Sequence, residues 1–416
     1  MTGPRAYAAF VRDNAAFLAA GVLICFTSNF GQTWFISLFA AGILRDFGLT
    51  DGQWGLVYMV ATGASAGAMI FAGGLTDRVR VRVLAMIASV GLALACLALA
   101  TVEGVAALLL TIWALRFFGQ GLMTHMSAVA MSRWFVATRG KALSISAMGF
   151  SLGQATLPII FVALLATTNW RNLWFVAGLL VLLAMPVILR LLRAERTPQS
   201  LAAEAPSVGM DGRHWTRGQM VRHWLFWAVM PLMLGPYAFV TALFFHQVHF
   251  VADKGWDLVD YVALMPLFTA VTVAMTFASG AALDRMGTGR LMSLYLLPFV
   301  GAFLIFWSSE TLFGAALGLA VMGLGTGAQA TVPNAFWAEY YGTRHLGSIK
   351  AMAMSIMVLG TAIGPGLTGT LIDLGWELDD QSLGIAVYFA AAALLATLAI
   401  QRAKRGLAPQ IDVIRP

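Results

Sequence analysis

The sequence predicts an all-α integral membrane protein with twelve transmembrane helices in two pseudo-symmetric six-helix bundles. Three observations lead there. Of the 416 residues, 60% are hydrophobic and only 11% charged, with a mean hydropathy of +0.81, whereas soluble domains carry about a quarter charged residues. Apolar runs of about 20 residues, enough to cross a bilayer core, recur along the whole chain. And the second half repeats the first at a constant offset.

The offset is 284 − 77 = 207, read from Asp77 and Asp284 and from their neighbours Arg78 and Arg285. It also relates Asp46 to Asp253, Gly48 to Gly255, Gly140 to Gly347, Gly153 to Gly360 and Pro158 to Pro365. So many turn and helix-breaking residues in one register indicate a duplicated half-molecule.

In chain order, the apolar runs predict helices one to six at about 15–43, 53–75, 82–102, 105–133, 141–167 and 173–193. Helices seven to twelve follow at about 222–250, 259–283, 289–308, 312–339, 348–373 and 383–402. Helix one follows Arg5 and Arg12, but its run is too long for the core of a cleaved leader. The expected organisation is a bundle over 1–193, a polar cytoplasmic linker over 194–221 and a bundle over 222–416. All Lys and Arg except Arg45, Arg116, Arg171 and Lys254 fall on the side that holds the termini. That side is expected to be cytoplasmic, with the protein in the cytoplasmic (inner) membrane. The net charge of +7 is therefore an orientation signal in short loops, and no nucleic-acid partner is expected.

The duplicated loop also carries a family resemblance. Gly73-x-Leu75-x-Asp77-Arg78 with its following basic cluster, and its near-copy from Gly280 to Arg290, resemble the signature loop of the major facilitator superfamily. The first copy has Arg80 where a glycine is common, and the second has Ala282 where the leucine belongs. The resemblance spans nearly the whole chain. It implies secondary transport, a loop joining helices two and three on the cytoplasmic side, and a central cavity lined by helices one, four, seven and ten. Asp77, Arg78, Asp284 and Arg285 are the expected gating residues. A looser likeness, in Arg133-Trp134-Phe135 through Ala142 and in Tyr340-Tyr341-Gly342 through Gly347, is to the monocarboxylate and oxalate–formate branch.

Several motifs lead nowhere. Gly149-Phe150-Ser151-Leu152-Gly153 has the spacing of a hydrolase nucleophile elbow, but it lies inside an apolar run with no strand before it. Gly149 and Gly153, with Gly360, Gly364 and Pro365 in the second half, are expected to serve helix packing. No phosphate-binding G-x-x-x-x-G-K-[ST] loop is present, so no catalytic role and no nucleotide or other cofactor is expected. His246-x-x-His249 has no Cys or third His beside it, which argues for polar lining at an outer helix end and against a metal site. Cys25 and Cys96 lie in apolar runs and read as small buried side chains.

Helix four holds the residue with the sharpest chemistry. Arg116 is 11 residues beyond Val105, about 17 Å along a helix and so near the middle of the membrane. A cation there must face a wet cavity or a partner. At 100° per residue, Gln120, Met123 and Ser127 fall within about 40° of it, forming one polar stripe. The spacing Arg116-x-x-Gly119-x-Gly121 also resembles the family's helix-four motif, which implies an arginine serving substrate binding or proton coupling. The alternative is an arginine bonded to backbone carbonyls of helix one. Asn29, Gln32 and Thr33 on helix one, Tyr237 and Thr241 on helix seven, and Thr326 and Gln329 on helix ten complete the candidate lining. No Asp or Glu lies deep in a span, which disfavours exchange of a cation for protons. A lone arginine suits a carboxylate held through two donors. The expected activity is transport of a small organic anion by alternating access, coupled to protons or a counter-substrate, by a monomer in the lipid bilayer. Efflux of amphipathic or drug-like molecules is the second reading.

Overall fold

The computed structural model describes residues 4–72, 75–135, 139–193, 208–342 and 344–406. Every regular element among them is helical. Among the described residues, ten helices are long and apolar enough to cross a membrane, and the bent pair Ala15–Gly31 and Thr33–Phe47, taken as one span, makes an eleventh. Asp51–Ala72 supplies helix two. Its 22 residues reach about 33 Å at 1.5 Å each, and it is rich in Gly, Ala, Ser and Thr.

The residues divide into two compact units. Unit one holds Met1–Ala202, Thr241–Pro266 and Thr361–Gly375, and unit two holds Ala203–Val240, Leu267–Gly360 and Trp376–Pro416. Unit one therefore contains helices one to six, the far end of helix seven, the start of helix eight and the second half of helix eleven.

Its core is aromatic. Phe35 meets Phe30, Phe39, Phe161 and Trp174 at centroid distances of 4.9 to 5.4 Å, mostly edge to face, the favoured geometry for ring quadrupoles. Helix five packs on helix one through glycines. A Cβ on Gly149 would lie 1.9 Å from Val22 O, and one on Gly153 would lie 2.1 Å from Asn29 Nδ2. Only residues without a side chain let these backbones approach so closely.

Unit two has its own aromatic core, where Phe389 packs against Phe299 and Phe303 at 5.3 and 5.7 Å. Of the expected linker, residues 194–207 lie outside the described residues. The remainder folds onto unit two: Trp215 N donates to Tyr341 O, and Thr216 and Gln219 form a capping box at the start of Arg217–Arg222. The duplication is visible in the backbone. Gly48 and its mate Gly255 both have positive φ, +62° and +66°, ending helices one and seven with the left-handed turn that glycine adopts at least cost.

Candidate functional site

Helix one is not one continuous helix. Ser28 Oγ donates to Cys25 O and Asn29 Nδ2 to Phe26 O, giving the preceding carbonyls side-chain partners. Gln32 then adopts φ −84°, ψ 149°, and the two halves bend by 48°. Asn29, Gln32 and Thr33 therefore do not form one helical stripe, because the chain leaves the helix between them.

Helix four meets helix one at this break. A Cβ on Gly31 would lie 2.2 Å from Leu115 O, and one on Gly119 would lie 2.7 Å from Gly31 Cα. Two bare backbones are thus in contact. At the crossing, helix four changes to a π-helix over Arg116–Met123, a wider winding often found at functional sites. This winding undoes the 100° arithmetic beyond Arg116. Ser127 bonds Ser146 Oγ at 2.7 Å and Cys25 Sγ at 3.3 Å, a buried polar tie between helices one, four and five. Gln120 is half-buried and Met123 is buried.

Arg116 is only 1% exposed. Its Nη1 donates to Gly31 O at 3.0 Å, a carbonyl that the break in helix one leaves available. The guanidinium carbon sits 5.3 Å from the centre of the Tyr58 ring, and the Tyr58 hydroxyl is hydrogen-bonded to Thr33 Oγ1. Nε and Nη2 of Arg116 have no partner among the described residues, nor has Asn29 Oδ1. Those two nitrogens form the side-on edge of the guanidinium, the edge that grips a carboxylate with two parallel bonds. Buried polar groups are nearly always satisfied, so an open edge in a buried site is a demand for a ligand or water. Tyr58 was not legible in the sequence as part of this site. It is one tyrosine in a glycine- and alanine-rich helix, with no periodic signal.

In unit two, Tyr237 is hydrogen-bonded to Gln329. Tyr295 and Tyr388 lie close by, donating to Leu232 O and Pro231 O at 2.9 and 2.8 Å. Helix ten, like helix one, is broken, between Leu312–Gln329 and Val332–Tyr341.

The remaining expected residues fall elsewhere. Asp77 and Arg78 lie on the helical turn Leu75–Arg78; their side chains and that of Asp284 lie outside the described residues, while Arg285 is exposed. A Cβ on Gly360 would lie 3.2 Å from Leu234 O, a looser approach than at Gly153. Gly364 and Pro365 are buried in helix eleven.

At the far end of unit one lies a second polar cluster, whose two histidines the sequence placed at an outer helix end but whose carboxylate partner it did not show. Asp51 opens helix two and takes His246 Nδ1 at 3.5 Å and His249 Nδ1 at 3.1 Å. Burial pushes the Asp51 carboxyl up. Hydrogen bonds and charge from the two histidines outweigh that and hold it well below the usual carboxylate range. Among the described residues no group of three or more His, Cys, Asp or Glu could hold a metal ion.

A family model described as Major Facilitator Superfamily matches residues 22–365 and 264–412. The chain belongs to that superfamily. Its members' helical architecture accounts for the duplicated halves, and membership makes this a membrane transport protein rather than an enzyme. The chain is 26% identical to an uncharacterised 38 kDa protein of Thermoproteus tenax, over 94% of this chain and 96% of that one. It is 29% identical to the 4-hydroxybenzoate transporter PcaK of Pseudomonas aeruginosa, over 91% of each. The solved structure of a bacterial homologue of the human lysosomal transporter Spinster matches with a TM-score of 0.69 at 18% identity, covering 95% of this chain and 99% of that one. That last likeness is one of fold alone.

Proposed function

We propose that this superfamily transporter carries a small organic anion, an aromatic or similar carboxylate, by alternating access, and that Arg116 grips the carboxylate. The observation that carries this reading is the unpartnered Nε–Nη2 edge of a buried guanidinium held in place at Nη1. The tie to Gly31 fixes the fork, so little side-chain freedom remains to be lost on binding. The Tyr58 ring beside it would pack against an aromatic body. The similarity to a 4-hydroxybenzoate transporter points the same way. Asn29, Gln32 and Gln120 are candidates to complete the first-half lining, and Tyr237 with Gln329 is a separate polar candidate in unit two.

Binding of 4-hydroxybenzoate and benzoate to the purified protein tests this, set beside its thermal unfolding. Saturable binding that Arg116→Lys weakens and Arg116→Ala abolishes, with folding retained, is the expected result. Binding unchanged in either variant, with a lowered melting temperature, would make Arg116 a structural tie and favour efflux of amphipathic compounds.

We further propose that both termini face the cytoplasm in the inner membrane. Cysteines replacing Glu103 and Asp257 should then react with an impermeant thiol reagent on intact cells, and ones replacing Arg217 and Arg290 should not. The signature loops, through Asp77, Arg78, Asp284 and Arg285, are proposed to hold the cytoplasmic gate. Asp77→Asn should slow transport without unfolding the protein, and unchanged transport would remove that role.

A further inference from the structure

The cluster around Asp51 has a hydrogen-bond arithmetic that a neutral histidine cannot satisfy. His246, 1% exposed in its side chain, directs Nε2 at Pro365 O, 2.9 Å away, and Nδ1 at the Asp51 carboxylate, 3.5 Å away. Both partners are acceptors. A neutral imidazole has one N–H, so either tautomer would aim a lone pair at an oxygen. Both contacts are attractive only if the pair holds one extra proton, whether written as imidazolium with carboxylate or as imidazole with carboxylic acid.

The position matters as much as the count. His246 stands where helix seven breaks, between Trp224–Phe245 and Gln247–Asp253. The next residue, Gln247, donates to Trp34 O and Ser37 Oγ at 2.9 and 2.8 Å, and Ser37 Oγ donates to Phe244 O at 2.6 Å. Helix eleven is held at the same place. Asp373 accepts from Thr50 Oγ1 and the Gly52 amide, at 2.6 and 3.1 Å, at the start of helix two. A Cβ on Gly55 would lie 2.5 Å from Pro365 O, and one on Gly369 2.5 Å from Asp51 O. One histidine therefore touches both helix two and helix eleven from the end of helix seven. In the first-half copy, position 246 − 207 = 39 is Phe39, a buried ring packed on Trp174. The repeat needs only a buried ring here, and the second half has supplied one that can be protonated.

We propose that Asp51 and His246 form a proton-binding site, and that uptake of this proton fastens the ends of helices seven and eleven to helix two at the outer side. The other charged or titratable groups facing it are His249, on the second Asp51 oxygen, and Asp373 on helix eleven; Asp253 and Lys254 follow at the end of helix seven. The fastened state holds one proton more than the released state. Its population therefore falls as pH rises, by up to about tenfold per pH unit in the released-to-fastened ratio. Released, these helix ends would be free to move in the alternating-access cycle, which makes the proton a coupling ion. The inference needs only membership of the superfamily and not the identity of the anion.

The test is a distance measurement between spin labels on Glu103→Cys and Val259→Cys in the full-length protein in nanodiscs, without any anion, at pH 5.5 and 8.5. The expected result is a shift from the short to the long distance as pH rises. His246→Gln and Asp51→Asn should each abolish that shift, and His249→Gln should keep it. A wild-type distribution unchanged by pH, or a shift that survives in His246→Gln or in Asp51→Asn, would overturn the proposal. Either result leaves the carboxylate-binding test of Arg116 standing on its own.

Discussion

The two halves share a plan, and they differ most where helix four and its copy, helix ten, cross their neighbours. In the first half Gly31 meets Gly119 with no Cβ between them, helix four opens into a π-helix, and a buried arginine reaches the broken end of helix one. At the 207 offset those glycines become Ala238 and Thr326, and Arg116 becomes Gly323. Two added Cβ atoms bar the same close crossing. At Gly323, a Cβ would lie 3.0 Å from Phe268 O, so helix eight occupies the space a long side chain would need. The second half offers a neutral pair, Tyr237 and Gln329, instead of a cation. On the proposed reading, charge-based recognition is confined to the first half, and Tyr237 with Gln329 would offer hydrogen-bonding groups in the second.

Substitutions can break this contrast, and the largest expected effect is at the crossing. Gly119→Val would drive a side chain into the Gly31 backbone, where neither partner can give way. Overpacking costs about 1–3 kcal/mol where side chains can adjust, and here a loss of folded, monodisperse protein on size exclusion is expected. Thr326→Val, at the matching position, should leave the protein folded, since a branched side chain is already accommodated there. Equal damage at both positions would mean that the close crossing is not what sets the halves apart.

Next comes Arg116→Lys. Replacing the fork by a point charge loses one charged hydrogen bond, worth about 1.5–3 kcal/mol, so carboxylate affinity measured by calorimetry should fall roughly ten- to a hundredfold. A loss much under that range would show that the open edge is not where the anion sits.

Smaller still is the contrast between repeat-mate glycines on helices five and eleven. Gly153→Ala places a methyl 2.1 Å from Asn29 Nδ2, and Gly360→Ala places one 3.2 Å from Leu234 O. The first should lower the melting temperature, at a cost of about 1 kcal/mol, and the second should scarcely change it. The smallest effect is expected for Tyr237→Phe, which removes one neutral hydrogen bond of about 0.5–1.5 kcal/mol. Its influence on anion binding should be weaker than that of any change at Arg116. A larger effect would give the second half a greater share in recognition than its lack of charge suggests.

Much of the architecture follows from the sequence alone. The spans, the duplicated register, and the glycines at 48 and 255 that end matching helices are all legible, because bilayer thickness and backbone sterics act on local residue patterns. Arg116 was also legible, since a cation in the middle of an apolar run is costly wherever it points. Its partners were decided only by the tertiary structure. The break at Gln32 frees the Gly31 carbonyl, the π-winding redirects Ser127 away from Arg116, and Tyr58 arrives from helix two. Likewise, His246 and Asp51 are 195 positions apart by their numbers (246 − 51), and each alone reads as an ordinary polar residue near a helix end. Hydropathy and periodicity carry information one helix at a time. Which polar atoms are left without a partner depends on contacts between helices distant in the chain, and in this protein those unmet atoms mark the candidate chemistry.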